Sequence, residues 1–279
     1  MTQPTEAPRR PARQVADPPT ATASVRPADA DVAHRSVGSN AAATPVPHAL
    51  AQSLGLHLAP GVAVLAAYAL LIPVARQHGL PSAAALAATG LVAIAPVQLS
   101  VLAAHRRRHP HEPALQLRER LPVPRLLAWA CVEIVLGAMA FQLMAPLTEA
   151  LRARLGWWPM TWSINLGNDA GFSRTSQVAT AAVLLVGTAI VAPIVEEVYF
   201  RGYLLPRMPQ AMGDGAPLAH AALFACYHLQ TPWLTPVRLF AIAPLAYIAT
   251  RTRDVRIGMV THVVLNTVDL VVLILFIIR

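Results

Sequence analysis

Three short polar groups interrupt the apolar second half of this chain. Glu196 and Glu197 stand at the end of the apolar run 181–195, with Arg201 one helical turn further on. His228 follows Phe224 by four residues, and Asn266 follows His262 by four. Two carboxylates set against hydrocarbon are costly unless something pairs with them, and a chain that accepts the cost usually uses the groups. A carboxylate and an imidazole can take a proton from water, and a histidine and an amide one turn apart can donate to an oxyanion. The chemistry these residue types offer is hydrolysis inside a membrane.

The rest of the chain has to hold those groups in hydrocarbon. Of 279 residues, 55% are hydrophobic and 13% charged, with a mean hydropathy of +0.49. A soluble domain has roughly 25% charged residues, so the composition indicates an integral membrane protein with one membrane domain. The net charge of +8 is carried wholly by arginine, since the chain has no lysine. With so much alanine, that points to GC-rich coding and a bacterial source. The arginines gather at the ends of apolar segments, where the positive-inside rule places them, so no nucleic-acid partner is expected. Cys131 and Cys226 both lie inside apolar runs, which excludes a disulfide framework and any zinc-type cysteine spacing.

Residues 1–48 are rich in Pro, Ala, Thr, Arg and Asp without an apolar period, and read as a disordered cytoplasmic tail. Arg9-Arg10 does not make a twin-arginine signal, because no apolar core follows before Leu54. Apolar stretches then occur at 54–75, 81–104, 126–147, 176–200, 216–230, 234–250 and 257–278. Most approach the ~20 residues a spanning helix needs, and 216–230, which is shorter, is expected to start inside the protein. The expected fold over 49–279 is an all-α, polytopic membrane helix bundle with about seven transmembrane helices. The loop 105–125 carries Arg106, Arg107, Arg108, Arg118, Arg120 and Arg125 and is expected on the inner side. That puts the N-terminus in the cytoplasm of a multi-pass inner (plasma) membrane protein and the C-terminus outside. Trp157, Trp158 and Trp162 then serve as interfacial anchors of the outer loop, despite Arg152, Arg154 and Arg174 in the same loop.

Helical phase separates the two acids. Glu197 and Arg201 are i and i+4 in the favourable acid-first order, whereas Glu196 is turned about 100° away. Glu197 is therefore expected to be tied to Arg201 and Glu196 to face a cavity. The competing reading is a pair of interfacial helix-end charges with Arg201 snorkelling. His262 and Asn266 share one helical stripe with Asp269, which is expected to pair with His262 or an arginine. The competing reading for that stripe is a polar helix–helix contact. His220, two turns before His228, reads as a helix-start residue. Glu133, mid-span in the third apolar segment, is expected to partner Arg201 or Arg238. Counting at ~1.5 Å per residue, the three polar groups fall within about 12 Å of a common depth.

The fragments Glu196-Glu197-Val198-Tyr199-Phe200-Arg201, Phe224-Ala225-Cys226-Tyr227-His228 and His262-Val263-Val264-Leu265-Asn266 resemble E-E-x-x-x-R, F-x-x-x-H and H-x-x-x-N. Those are the three signatures of the CAAX prenyl protease and bacteriocin-processing (CPBP, or Abi) intramembrane proteases. Ala192-Pro193 before the acids, Gly202 after Arg201 and the stretch 247–252 before the last helix resemble the family as well. The likeness spans about residues 176–270, the expected protease core. It implies an intramembrane endopeptidase acting on a peptide or membrane-protein substrate in the bilayer. Glu196 and His228 would activate water, His262 and Asn266 would hold the oxyanion, and Glu197, Arg201 and Phe224 would support them. The family has been classed as metalloproteases, and Glu196, His228 and His262 could ligate zinc. The chain lacks H-E-x-x-H, however, and using His262 as a ligand would leave Asn266 alone at the oxyanion. A mechanism without metal or other cofactor is expected, with zinc as the alternative. The rival functions are a non-catalytic immunity or scaffold protein of the same family and a proton-coupled transporter. The natural substrate and the oligomeric state are not written in the sequence.

Overall fold

The computed structural model describes residues 45–112, 115, 120–158 and 171–278. The expected tail lies outside them as far as residue 44, as do Arg118 and Trp162. Each of the seven apolar stretches is helical: α1 (Leu50–Gln77), α2 (Ser82–Arg108), α3 (Val123–Arg154), α4 (Arg174–Arg207), α5 (Ala216–Tyr227), α6 (Pro232–Thr252) and α7 (Arg256–Ile278). No strand occurs among the described residues, and the protein is an all-α polytopic helix bundle. Helices α1, α2, α3, α4 and α6 are long and apolar enough to cross a membrane. Helix α5 has 12 residues; at ~1.5 Å each it rises about 18 Å, short of a ~30 Å hydrocarbon layer. It is too short to span, as its shorter apolar stretch suggests, and half of its residues are buried.

The bundle is apolar outward and polar inward. Leu70 and Leu143 are more than 70% exposed, whereas Glu133, Glu196, Glu197 and Arg201 are each under 5% exposed. That inversion is what a lipid solvent selects, since hydrocarbon outside leaves only the interior for charge. Helix α6 packs against α3 and α5, α7 against α3 and α4, and α1 against α2 and α5. Helices α2 and α4 meet at two glycines. A Cβ on Gly90 would stand 2.5 Å from the carbonyl oxygen of Gly187, and one on Gly187 would strike the carbonyl of Ala87. Backbones approach this closely only through small residues.

Prolines inside these helices do more than bend them. Pro60 in α1 has no N–H, so the carbonyl four residues earlier, Leu56, loses its intrahelical donor. The Tyr199 hydroxyl of α4 donates to that oxygen at 2.8 Å. Helix α4 contains two π-helical stretches, Leu185–Val191 and Val198–Leu204, on either side of the turn that carries the glutamates. In the i→i−5 register, the donor that would reach Thr188 belongs to residue 193, again a proline. The Asn266 side chain of α7 fills that place, with Nδ2 3.0 Å from the Thr188 oxygen. Pro60 and Pro193 thus each expose a carbonyl that fastens a neighbouring helix.

Two clasps close the loops. Fully buried Arg207 donates to Glu112 at 2.9 Å and to the Tyr203 carbonyl at 3.1 Å. The Val46 N–H also donates to Glu112, at 3.3 Å, so the residues before α1 are tied down. The second clasp is Asp254, between α6 and α7. Its Oδ2 accepts from the Leu121 N–H at 3.0 Å, and its Oδ1 accepts from the Arg256 N–H at 3.1 Å. The Arg256 guanidinium holds the Asp254 carboxyl below the usual carboxylate range, against the effect of burial, which raises it. A depressed carboxyl stabilises the fold above its unfolded value and ceases to as pH falls through the folded one. Asp254→Ala is expected to cost about 1–2 kcal/mol at neutral pH, in line with a lost helix cap. The gap between wild-type and variant thermal unfolding should narrow once the pH drops below 3.8, the ordinary Asp value.

Candidate active site

The motif spacings acquire physical reasons in the structure. Glu197 Oε1 and Arg201 Nη1 lie 3.0 Å apart along one face of α4, and both side chains are buried. The guanidinium also stacks on the Phe224 ring, 4.0 Å from its centroid, which ties α4 to α5. Four residues after Phe224, His228 closes α5, where the last carbonyls of a helix have no intrahelical donor. Its Nδ1–H donates to the Phe224 carbonyl at 3.0 Å. A carbonyl only accepts, so the proton is on Nδ1 and the His228 Nε2 lone pair stays available. The chain then turns sharply, with the Leu229 N–H on the Tyr227 carbonyl at 2.8 Å.

Glu196, His228, His262 and Asn266, drawn from α4, α5 and α7, line one cavity of about 460 Å³. Glu197 is not among its lining residues, so the two adjacent acids do separate as their helical phase requires. His262 stands between them, with Nδ1 3.2 Å from Glu197 Oε1 and Nε2 3.9 Å from Glu196 Oε2. Gly258, one turn before His262, makes room for this: a Cβ there would collide with the Glu197 carboxylate. Gly61 of α1 does the same on the other side, lying directly against the Tyr227 carbonyl.

Several partners in this region carry no mark in the sequence. Tyr227 is the nearest: its hydroxyl donates to Glu196 Oε1. It occupies a variable position of F-x-x-x-H, and only the packing of α5 on α4 pairs it with the acid. His220 is not a plain helix-start residue, because it is fully buried and bonded to His57 of α1, Nδ1 to Nε2, at 2.9 Å. His57 in turn donates from Nδ1 to the Ser53 carbonyl at 2.7 Å. Glu133 lines the cavity but forms no ion pair within 4.0 Å with Arg201, Arg238 or any other described residue. Asp269 likewise lines the cavity and has no ion pair at that distance with His262 or any described arginine. Both expected pairings are therefore corrected. Both cysteines are free thiols.

The described residues are not grouped as a metal site. Zinc would need Glu196, His228 and His262 to converge as a set. Among the described residues, no three His, Cys, Asp or Glu side chains are arranged to hold an ion.

Neither the curated proteins nor the solved structures gave a match to this chain. The comparison with protein families did. The matching stretch begins at the start of α4 and ends two residues after Asn266, so it contains all three motifs and the turn between the two π-helical segments. Residues 178–268 match the family model described as Rce1-like, type II CAAX prenyl endopeptidase, consistent with a protease of the CPBP family.

Proposed function

We propose that this protein is an intramembrane endopeptidase that hydrolyses peptide bonds of membrane-associated substrates without a metal ion. The observation that carries the reading is the shared cavity in which Glu196, His228, His262 and Asn266 meet. In the proposed reaction Glu196 takes a proton from a water molecule, which also donates to the free Nε2 of His228. The hydroxide formed adds to the scissile carbonyl carbon. The oxyanion accepts hydrogen bonds from His262 Nε2–H and from the Asn266 Nδ2 hydrogen that is not on Thr188. With Nδ1 already donating to Glu197, a proton on Nε2 makes His262 an imidazolium, and the carboxylates on either side offset that charge. The tetrahedral adduct then collapses as Glu196 returns its proton to the leaving amine. Donors and charges fixed in an apolar cavity act more strongly than they would in water. The arginines at the helix ends support a plasma-membrane setting with the N-terminus inside.

The test is cleavage of a membrane-associated peptide by purified protein, with and without a strong chelator. Activity is expected to survive chelation. Loss on chelation with recovery on adding zinc would overturn the metal-free mechanism. Retained activity in both Glu196→Ala and His228→Ala would overturn the peptidase reading and favour a scaffold.

A further inference from the structure

The reaction outlined above does not use Arg238, the one arginine among the described residues that lines the cavity. Arg238 stands in α6, ten residues beyond His228, and faces the same space as Glu196 and His228. Its Nη1 donates to the Thr231 carbonyl at 3.2 Å. Its other guanidinium N–H groups have no hydrogen-bond partner among the described residues, and no carboxylate lies within 4.0 Å of it. A guanidinium inside a membrane helix is expensive and normally meets an anion there. Thr231 shows the same deficit: the residue is 7% exposed, and its buried hydroxyl has no hydrogen-bond partner. Two unfulfilled donor groups, one of them cationic, thus meet at the turn that follows His228.

We propose that Arg238, with the Thr231 hydroxyl, anchors a carboxylate of the peptide substrate. The proposal rests on the peptidase reading of the cavity. A planar guanidinium with open N–H groups matches a carboxylate by two parallel hydrogen bonds, which no backbone amide or hydroxyl ligand could use as well. An unmodified peptide offers that group in only two places, its C-terminus and an Asp or Glu side chain. Because the anchor and His228 belong to one short stretch of chain, a carboxylate held there lies close to the bond being cut. Glu196 and Asp269 act on the Arg238 charge from a distance without occupying its donors. The anchor thus selects substrates by a charge a few residues from the cleavage point.

The experiment uses the full chain in lipid nanodiscs and one peptide sequence in three forms: free C-terminal acid, C-terminal amide, and amide with an aspartate downstream of the cleaved bond. Wild-type protein is expected to favour a carboxylate-bearing form over the plain amide by about 10- to 100-fold in kcat/KM, mostly through KM. Preference for the terminal acid identifies the C-terminus as the anchored group, and preference for the aspartyl amide identifies a side chain. In Arg238→Gln that ratio should fall to about one, and Arg238→Lys, which keeps the charge but loses the fork, should restore part of it. Asp269→Asn should keep the preference. Equal cleavage of all three peptides by wild-type protein overturns the anchor while leaving the peptidase reading in place. Arg238→Gln and Asp269→Asn losing activity on every peptide alike, with the ratio unchanged, makes the arginine a counter-ion for Asp269 and also overturns it. Cleavage of none of the peptides by wild-type protein overturns the peptidase reading and the anchor together.

Discussion

Glu196→Gln is expected to lower peptide cleavage by about 10²- to 10⁴-fold, the usual worth of a positioned general base, while the bundle stays folded. Glutamine keeps the size of the side chain and can still accept from the Tyr227 hydroxyl, so the packing of α5 on α4 is preserved. What it cannot do is take a proton from water. The removed charge forms no ion pair shorter than the 3.9 Å approach to His262, so little Coulombic stabilisation leaves with it. Cleavage assays should therefore show a collapse in kcat, while thermal unfolding of the purified variant stays close to wild type. A variant that cleaves at more than a tenth of the wild-type rate would remove Glu196 from the proposed chemistry.

Glu197→Ala should do the opposite kind of damage. Arg201 is 3% exposed, and among the described residues Glu197 is the carboxylate within ion-pair distance of it. Removing one member of a buried pair leaves an uncompensated charge and costs about 3–5 kcal/mol. The Phe224 ring beneath the guanidinium offsets only a small part of this, roughly 1–2 kcal/mol for a buried contact that exists already. The expected result is a large fall in unfolding temperature and in the yield of folded protein, with activity lost because the fold is lost. Glu197→Met combined with Arg201→Met should recover much of the stability, since a buried pair exchanged for apolar side chains is often nearly neutral. A double variant no more stable than Glu197→Ala would show that the pair's place in the bundle, rather than its charge, is what matters. Two adjacent glutamates are thus expected to fail in different ways, one through chemistry and one through folding. Helical phase is the reason, because only Glu196 reaches the cavity.

Much of the site was legible before any fold was known, because the informative relations lie within single helices. Glu197 with Arg201, Phe224 with His228 and His262 with Asn266 are all four apart, and side chains at that spacing stack on one helical face whatever the helix packs against. The apolar stretches were legible for a similar reason: hydrocarbon demands a helix of sufficient length, and composition alone reports it. The glutamates needed only the 100° step of the helix to be assigned to different faces.

Partners drawn from different helices were not legible. Tyr227 meets Glu196 across 31 residues and His57 meets His220 across 163, and no periodicity connects such positions. The expected partners of Glu133 and Asp269 failed for the same reason, since charge types can suggest a pair but only packing sets the distance. The prolines lie between the two cases. Pro60 announces an open carbonyl at Leu56, whereas Pro193 opens Thr188 only because α4 is π-helical there, and the sequence does not say that Tyr199 and Asn266 would fill them. By itself, then, the sequence determined the helices, the phase of each polar residue and the family likeness, all consequences of short-range geometry. Which of those residues share a cavity, which are bonded and which donors remain open for a substrate was decided by tertiary structure, because close packing among α1, α4, α5, α6 and α7 sets those distances.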